Sequence, residues 1–406
     1  MKRIERLRLY PTRHQTARLQ FLLDVTRELY NALLQQRRDA YRLRGISLRS
    51  KAQYAEMTAL RAEDARVRAI YRECQDAVLR RLELAFAAFF RRVAAGQTPG
   101  FPRFKPAARW AQLTFPHGDR ALRFTAGQGR VSVPGVGSVK LRKGRSVPAF
   151  GRAWLVLRNG RWYACFECER AVTPLPNTGI ALGIDRGVHV LAACSDGRLI
   201  RKLGVGERRR SATARLQRSL ESVTQRDAAG RVGNRQDPGR IQAVRRLARA
   251  KEREANARRD FAHKLARRIV TAADVIALER LNLRAMTRSA AGTLAAPGRH
   301  VRAKAGLNRV VLDAGFGLLD RLISEKAEEA ARVVVRVEAR FSSQTCSRCG
   351  YVSARSRRRR RFCCVRCRLR AHADVNAALE IRRRAQLALL RIPDAGEEPV
   401  RQQDAA

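Results

Sequence analysis

The feature that most constrains this chain lies near its C-terminus. It reads Cys346-Ser347-Arg348-Cys349, then fourteen residues, then Cys364-Val365-Arg366-Cys367, with Asp374 seven residues further on. Two residues between paired cysteines let a tight turn aim both sulfurs at one ion. Two such pairs close a tetrahedral thiolate site with no open position, so the expected zinc is a structural staple rather than a reagent. Cys363 adjoins Cys364 and is a rival ligand, but the two-residue spacing to Cys367 favours Cys364. Residues 342–367 are therefore expected to form a zinc ribbon that runs straight into Ala373-Asp374-Val375-Asn376-Ala377-Ala378. Cys165 and Cys168 form another such pair inside an alternating run, where residues three apart face opposite sides of a strand. Core packing is the expectation there.

The formal charge of +49 on 406 residues is the second constraint. Self-repulsion of that size calls for a polyanion, which means nucleic acid or an anionic membrane surface. No run of eighteen apolar residues occurs and the first residues, Met1-Lys2-Arg3-Ile4-Glu5-Arg6, lack a signal-peptide core. The chain is thus expected to be soluble and cytoplasmic, with no membrane partner. Nine cysteines without a secretion signal point to reduced thiols and metal rather than disulfides. The length allows two or three domains.

Ile4, Leu7 and Leu9 alternate with arginines and predict a strand that Pro11 ends. Helical spacing follows from Thr12 to about Val93, as in Leu19, Leu22, Leu23, Leu29 and Tyr30. Short alternating runs at 122–125, 131–133, 136–141, 154–157 and 162–169 are separated by Gly and Pro turns and suit a small antiparallel barrel. After the linker Thr173-Pro174-Leu175-Pro176-Asn177 the pattern becomes α/β. Strands are expected at 180–185, 188–194, 275–279 and 333–338, with helices over 207–272 (broken near 230–239), 312–332 and 375–390. The end of the chain, from 393 to 406, is expected to be disordered.

Three carboxylates fall where a predicted strand stops or a helix starts. Asp185 closes Ile180-Ala181-Leu182-Gly183-Ile184, Glu279 ends Val275-Ile276-Ala277-Leu278, and Asp374 opens the last helix. Each has an ordinary alternative: a turn residue before Gly187, an ion pair with Arg280, and a helix N-cap. Taken together they suit an RNase H-like nuclease. Such a site holds two Mg²⁺, or Mn²⁺ in their place, on carboxylates at rigid element ends, with positions left for a phosphate and a water. His263 is read as a packing or phosphate-side residue.

The strings Gly183-Ile184-Asp185-Arg186-Gly187-Val188, Ile276-Ala277-Leu278-Glu279-Arg280-Leu281-Asn282-Leu283 and Ala373-Asp374-Val375-Asn376-Ala377-Ala378 resemble the three RuvC motifs of the TnpB/OrfB family of insertion sequences, related to the type V CRISPR effectors. Ser343-Gln344-Thr345-Cys346-Ser347-Arg348-Cys349-Gly350 resembles the start of that family's zinc ribbon. Leu9-Tyr10-Pro11-Thr12 with Gln15, Tyr30-Asn31 and Gly100-Phe101-Pro102-Arg103-Phe104-Lys105 are similar to its N-terminal half. The resemblance implies a multidomain α+β protein. A wedge-like β-barrel would span 1–12 and 96–173, with a helical nucleic-acid recognition insert at 13–95. A RuvC nuclease domain would span 178–341 and 368–392, with the ribbon inserted. It further implies an RNA-guided DNA endonuclease of the prokaryotic cytoplasm and nucleoid, in which Asp185, Glu279 and Asp374 are catalytic Mg²⁺ ligands and Cys346, Cys349, Cys364 and Cys367 hold zinc. Its partners would be a guide RNA from the transposon end and target double-stranded DNA. The basic stretch 207–268 and the run Arg357 to Arg361 would meet phosphates. A transposase using the same metal site, and a guide-directed regulator that binds without cutting, are the alternatives. One departure is Arg368, which stands where the second knuckle usually has glycine. It is expected to hold left-handed backbone at some cost in zinc affinity.

Overall fold

A computed structural model describes residues 2–125, 129–141, 147–201, 207–225, 232–233, 237–293 and 296–390. The expected disordered end and half of the expected helical break fall outside these residues. The chain divides into two compact units, Met1–Arg170 and Ala171–Ala406.

In the first unit the alternating N-terminal run forms the strand Lys2–Tyr10, and Pro11 leads into the helix Arg13–Arg44. Thr12 caps that helix. Its side chain accepts from the Gln15 backbone N–H, while the Gln15 side chain accepts from the Thr12 N–H. This reciprocal capping box is why threonine followed three residues later by glutamine marks a helix start. The helices Ser50–Glu63 and Arg72–Ala94, with the single turn Ala65–Arg68 between them, complete the helical part. Their apolar stripes bury Leu19, Leu23, Leu34, Met57, Leu79 and Leu82 almost completely.

A seven-stranded antiparallel sheet runs in the order Gln112–Phe115, Phe150–Arg158, Arg161–Glu169, Lys2–Tyr10, Gly137–Leu141, Arg130–Val133, Arg123–Thr125. The first strand is its pivot, pairing through residues 2–8 on one side and through Leu9 and Tyr10 on the other. The order is open: among the described residues the two end strands are not paired with each other. Along Arg161–Glu169 burial alternates strictly, with Cys168 inside and Cys165 on the opposite face, as the period of two requires. Two motifs of this unit are joined by Asn31, whose side chain both donates to the Lys105 carbonyl and accepts from the Lys105 N–H. The Trp110 indole donates to Thr26 Oγ1 at 2.9 Å and packs on Tyr30.

The second unit is built on a five-stranded sheet in the order Leu199–Arg201, Val190–Cys194, Ala181–Asp185, Val275–Arg280, Val333–Glu338. The first three strands pair antiparallel, and the last two extend the sheet parallel to Ala181–Asp185. Leu265, Ile269, Phe316, Leu322 and Ile323 from the helices Pro238–Ala272 and Phe316–Glu329 cover the sheet with Ile184, Ile276 and Leu278. The helix expected over 312–332 is two helices, Val301–Ala314 and Phe316–Glu329. They are broken at Gly315, whose φ of +70° no helix interior accommodates. The final helix, Ala373–Leu390, lies on the Ala181–Asp185 strand. A Cβ on Gly183 would sit 2.0 Å from the Ala378 carbonyl oxygen, so this glycine is what lets helix and strand approach backbone to backbone. Among the described residues no helix is long and apolar enough to cross a membrane.

Candidate functional site

Asp185 and Glu279 end neighbouring parallel strands. Ile184 pairs with Cys194 across one edge and with Leu278 across the other, which brings the next residue of each strand to the same sheet end. Asp374 reaches the same place from the first turn of the final helix, which Gly183 holds against the Asp185 strand. The three carboxylates share a strong field. Burial, then the charges of Glu279 and Asp374, pushes Asp185 up to about 8, and Asp185 hydrogen-bonds to Glu279. Glu279, only 5% exposed, is also raised, by burial, with the Arg186 charge pulling against it. Asp185 and Glu279, crowded in this way, resist ionising together without a compensating cation.

Two guanidinium groups supply part of that compensation. Arg357 Nη2 lies 3.0 Å from Asp374 Oδ1. Arg186 is buried, and its backbone N–H donates to Glu279 Oε1 at 3.0 Å while its Nη2 donates to the Glu279 carbonyl oxygen. Its Nη1 donates to Asp320 Oδ2 at 3.0 Å, and Asp320 in turn accepts from Arg336 at 2.6 Å.

The four cysteines of the two pairs converge. Their sulfurs all lie within 4.8 Å of one another, the one group of this kind among the described residues. Cys346 to Cys367 and Cys349 to Cys364 are each 3.6 Å apart. A tetrahedron with Zn–S bonds of about 2.3 Å has edges of about 3.8 Å, so the donor set fits zinc in both chemistry and size. Burial opposes ionisation of Cys364. The backbone N–H groups of Cys367 and Arg366 and the neighbouring thiols outweigh it, bringing Cys364 down to about 6. Cys363 is exposed and outside the cluster. Gly350 and Arg368, the residues just after each pair, both have left-handed backbone, φ +72° and +60°.

Ribbon and carboxylate are joined covalently and by hydrogen bonds. The ribbon's last strand, Arg370–His372, passes without a loop into the helix that begins at Ala373. Asn376, fully buried, donates to the Thr345 carbonyl at 2.8 Å and accepts from the Ser347 N–H at 3.0 Å, bracketing Cys346. Glu380, also fully buried, is met by Arg383 and Arg384. Arg384 also donates to the carbonyls of Glu338 and Arg340. His263 is exposed and stands on Pro238–Ala272. Sequence reasoning found the carboxylates and thiols but not Asp320, Arg336 or the roles of Arg186 and Asn376. Arg186 and Asn376 lie inside the motif strings, so proximity in sequence was a signal. Asp320 and Arg336 carry none, because only tertiary packing brings them in.

This is a basic, two-unit α/β protein in which one buried and two partly buried carboxylates at a sheet end adjoin a four-cysteine ribbon. Residues 163–290 match the model described as "Probable transposase", residues 316–381 that of the "Cas12f1-like, TNB domain", and residues 1–45 a "Helix-turn-helix domain". In this structure residues 1–45 hold a strand and one continuous helix rather than two helices about a turn. The chain is 32% identical over 306 residues to "Putative RNA-guided DNA endonuclease InsQ" of Escherichia coli, covering 75% of this chain and 72% of that protein. It is 27% identical over 395 residues to "Putative RNA-guided DNA endonuclease" of Streptomyces pristinaespiralis, covering 94% and 89%. Among solved structures, "Structure of the mini-RNA-guided endonuclease CRISPR-Cas_phi3" aligns over 95% of this chain and 92% of its own, at 9% identity and a TM-score of 0.46. The chain belongs to the TnpB/OrfB family.

Proposed function

We propose that this protein is an RNA-guided, Mg²⁺-dependent DNA endonuclease of the RuvC type. The observation that carries the reading is the convergence of Asp185, Glu279 and Asp374, from two strand ends and a helix start, in one largely buried cluster where the charges of Glu279 and Asp374 both act on Asp185. The five-stranded order, antiparallel on one side and parallel on the other, supports an RNase H-like frame for residues 178–341 and 368–392. The first unit is then the wedge-like barrel domain at 1–12 and 96–173 with a helical recognition insert at 13–95, and the ribbon is 342–367 together with the strand Arg370–His372 that pairs with Arg361–Cys363.

Oxygen ligands in a site that must leave room for phosphate and water suit Mg²⁺ or Mn²⁺. Asp185, Glu279 and Asp374 would hold two such ions, whose chemistry would be activation of a water and stabilisation of the leaving 3′ oxygen. The protein's own part is to hold three carboxylates on rigid elements and to keep Asp374 in step with the ribbon. The charge of +49 supports a heteroduplex of guide RNA and target DNA held through its backbone, with base pairing carrying the sequence information. The guide is proposed to come from the transposon end, and the protein to work in the prokaryotic cytoplasm on nucleoid DNA. Its kinship with proteins named as RNA-guided DNA endonucleases supports the same reading.

The test is to express the protein from its native locus, sequence the RNA that co-purifies, and assay cleavage of DNA matched to its variable end. A discrete RNA ending at the element boundary, with cutting abolished and RNA retained in Asp185→Ala, is the expected result. Cleavage that survives Asp185→Ala removes the RuvC assignment. Strand transfer by a 3′ hydroxyl in place of hydrolysis would make the protein a transposase, and guided binding without cutting by the wild type would make it a regulator.

A further inference from the structure

We propose that Arg186 and Asp320 form a positioning pair that fixes the Glu279 carboxylate for divalent-cation binding, an inference that rests on the nuclease reading above. The Arg186 side chain is 1% exposed, and a guanidinium is costly to bury unless most of its donors are used. A guanidinium also presents its donors in a rigid planar fork, so its partners fix its plane. Here Nη2 is held by the Glu279 carbonyl and Nη1 by Asp320 Oδ2, and Nε stops at 3.6 Å from Glu279 Oε1. The tighter contact to Oε1 is the Arg186 backbone N–H, at 3.0 Å. Arg186 thus orients Glu279 through its peptide group, while the strongest charge pairing of its side chain goes to Asp320, on a different element. That division keeps the guanidinium from folding over the carboxylate and covering the oxygen that a cation would take.

Asp320 is itself pinned. It lies on the helix Phe316–Glu329 and accepts from Arg336 Nη2, which also reaches Ser324 Oγ at 2.6 Å. Arg336 is paired with Leu278, the residue before Glu279, across the parallel strands. Strand end, arginine, helix and neighbouring strand therefore close into a frame around Glu279. A buried ion pair is weak evidence of a stability role, since a well-packed apolar replacement often serves stability as well. Three anchors converging on one arginine beside a metal-binding carboxylate instead point to orientation. Groups that orient metal ligands typically change metal affinity or activity by about 10–100-fold when removed.

The experiment uses the full chain with its co-purified RNA and compares wild type, Asp320→Asn and Arg186→Lys. Mn²⁺ binding is read by electron paramagnetic resonance, cleavage is followed as a function of Mg²⁺, and thermal unfolding is measured without divalent cation. Asp320→Asn is expected to raise the Mn²⁺ dissociation constant and the half-saturating Mg²⁺ by about 10-fold. The rate at saturating Mg²⁺ should recover to within about threefold of wild type, and Arg186→Lys should fall between the two proteins. Mn²⁺ affinity and Mg²⁺ dependence within about twofold of wild type in both variants, whatever their unfolding temperature, would overturn the proposal and leave a structural pair. If Asp320→Asn does not fold, Arg186→Lys alone decides by the same criterion. Wild type that cuts while the variants keep its Mn²⁺ affinity would fail the positioning pair and spare the nuclease. Weakened Mn²⁺ binding in variants of a wild type that cuts nothing would do the reverse.

Discussion

The second unit holds two clusters of acidic side chains that differ in nearly every respect. The four thiols come from two tight turns, sit 3.6 Å apart in pairs and are shaped to a closed tetrahedron. The carboxylates come from two strand ends and a helix, and arginines occupy their flanks. Local chain geometry assembles the first cluster, and the whole sheet-and-helix framework assembles the second. A closed site can be built from short-range turns because its metal has nothing to do but stay. A site that must admit a substrate needs ligands on separate elements, which can stand apart and leave coordination positions open.

The contrast is broken most severely by removing a thiolate. Cys346→Ser is expected to take the zinc content from one per chain to none and to loosen residues 342–372, as measured by elemental analysis and hydrogen exchange. Zinc-finger peptides draw about 10–16 kcal/mol of folding free energy from the metal, so no other single change described here should be as large. Retention of full zinc content would remove Cys346 from the ligand set.

Gly183→Ala attacks the other cluster through its framework. The added Cβ must move the final helix, because it would meet backbone rather than a flexible side chain. A loss of about 1–3 kcal/mol in chemical denaturation is expected, with zinc content unchanged and divalent-cation binding weakened. An unchanged denaturation midpoint would mean that the helix can slide without cost.

A smaller effect separates the clusters by pH. Asp274 accepts from the backbone N–H groups of Thr178 and Gly179 and pairs with Arg332, tying the approach to the Asp185 strand to the start of Val333–Glu338. The Thr178 N–H foremost lowers its pKa from the ordinary aspartate value; desolvation opposes it, and Gly179 and Arg332 add to the lowering. A depressed folded pKa gives stability that is fully present above the unfolded value and is lost as pH falls through the folded one. The thermal midpoint of wild type should therefore exceed that of Asp274→Asn near pH 7, with the gap closing only below about pH 4. A gap constant down to pH 2.5 would assign the effect to packing. The smallest change is expected from Arg368→Gly. It relieves left-handed backbone at φ +60° and should strengthen zinc retention against a chelator by about 0.5–1 kcal/mol.

How much of this was legible depended on how local the cause was. The helical spacing that opens at Thr12 and the β-branched run Val333–Glu338 both stand where the sequence puts them. The short strands Gln112–Phe115 and Leu199–Arg201 were not foreseen, since three or four residues carry too little alternation to count. The break at Gly315 was missed because glycine inside an apolar helical pattern is ambiguous until φ is known. Likewise, the sequence marked Asp185, Glu279 and Asp374 by their place at element ends. That one arginine would span Glu279 and Asp320, residues on a strand and a distant helix, has no sequence signal at all.

The absence of a loop between the ribbon's last strand and the final helix constrains how the gene can change length. Six residues, 368–373, separate Cys367 from Asp374, and the helix is already turning at Ala373. One residue gained or lost at the junction would rotate Asp374 about 100° around the helix axis, and only changes near a whole turn would bring it back. The ribbon hairpin reinforces that register, since the Arg360 carbonyl accepts from the Ala373 N–H at 2.8 Å and Arg357 pairs with Asp374. Insertions among relatives should therefore be purged from the junction, so that the spacing between the last thiolate and the last carboxylate behaves as a fixed gauge.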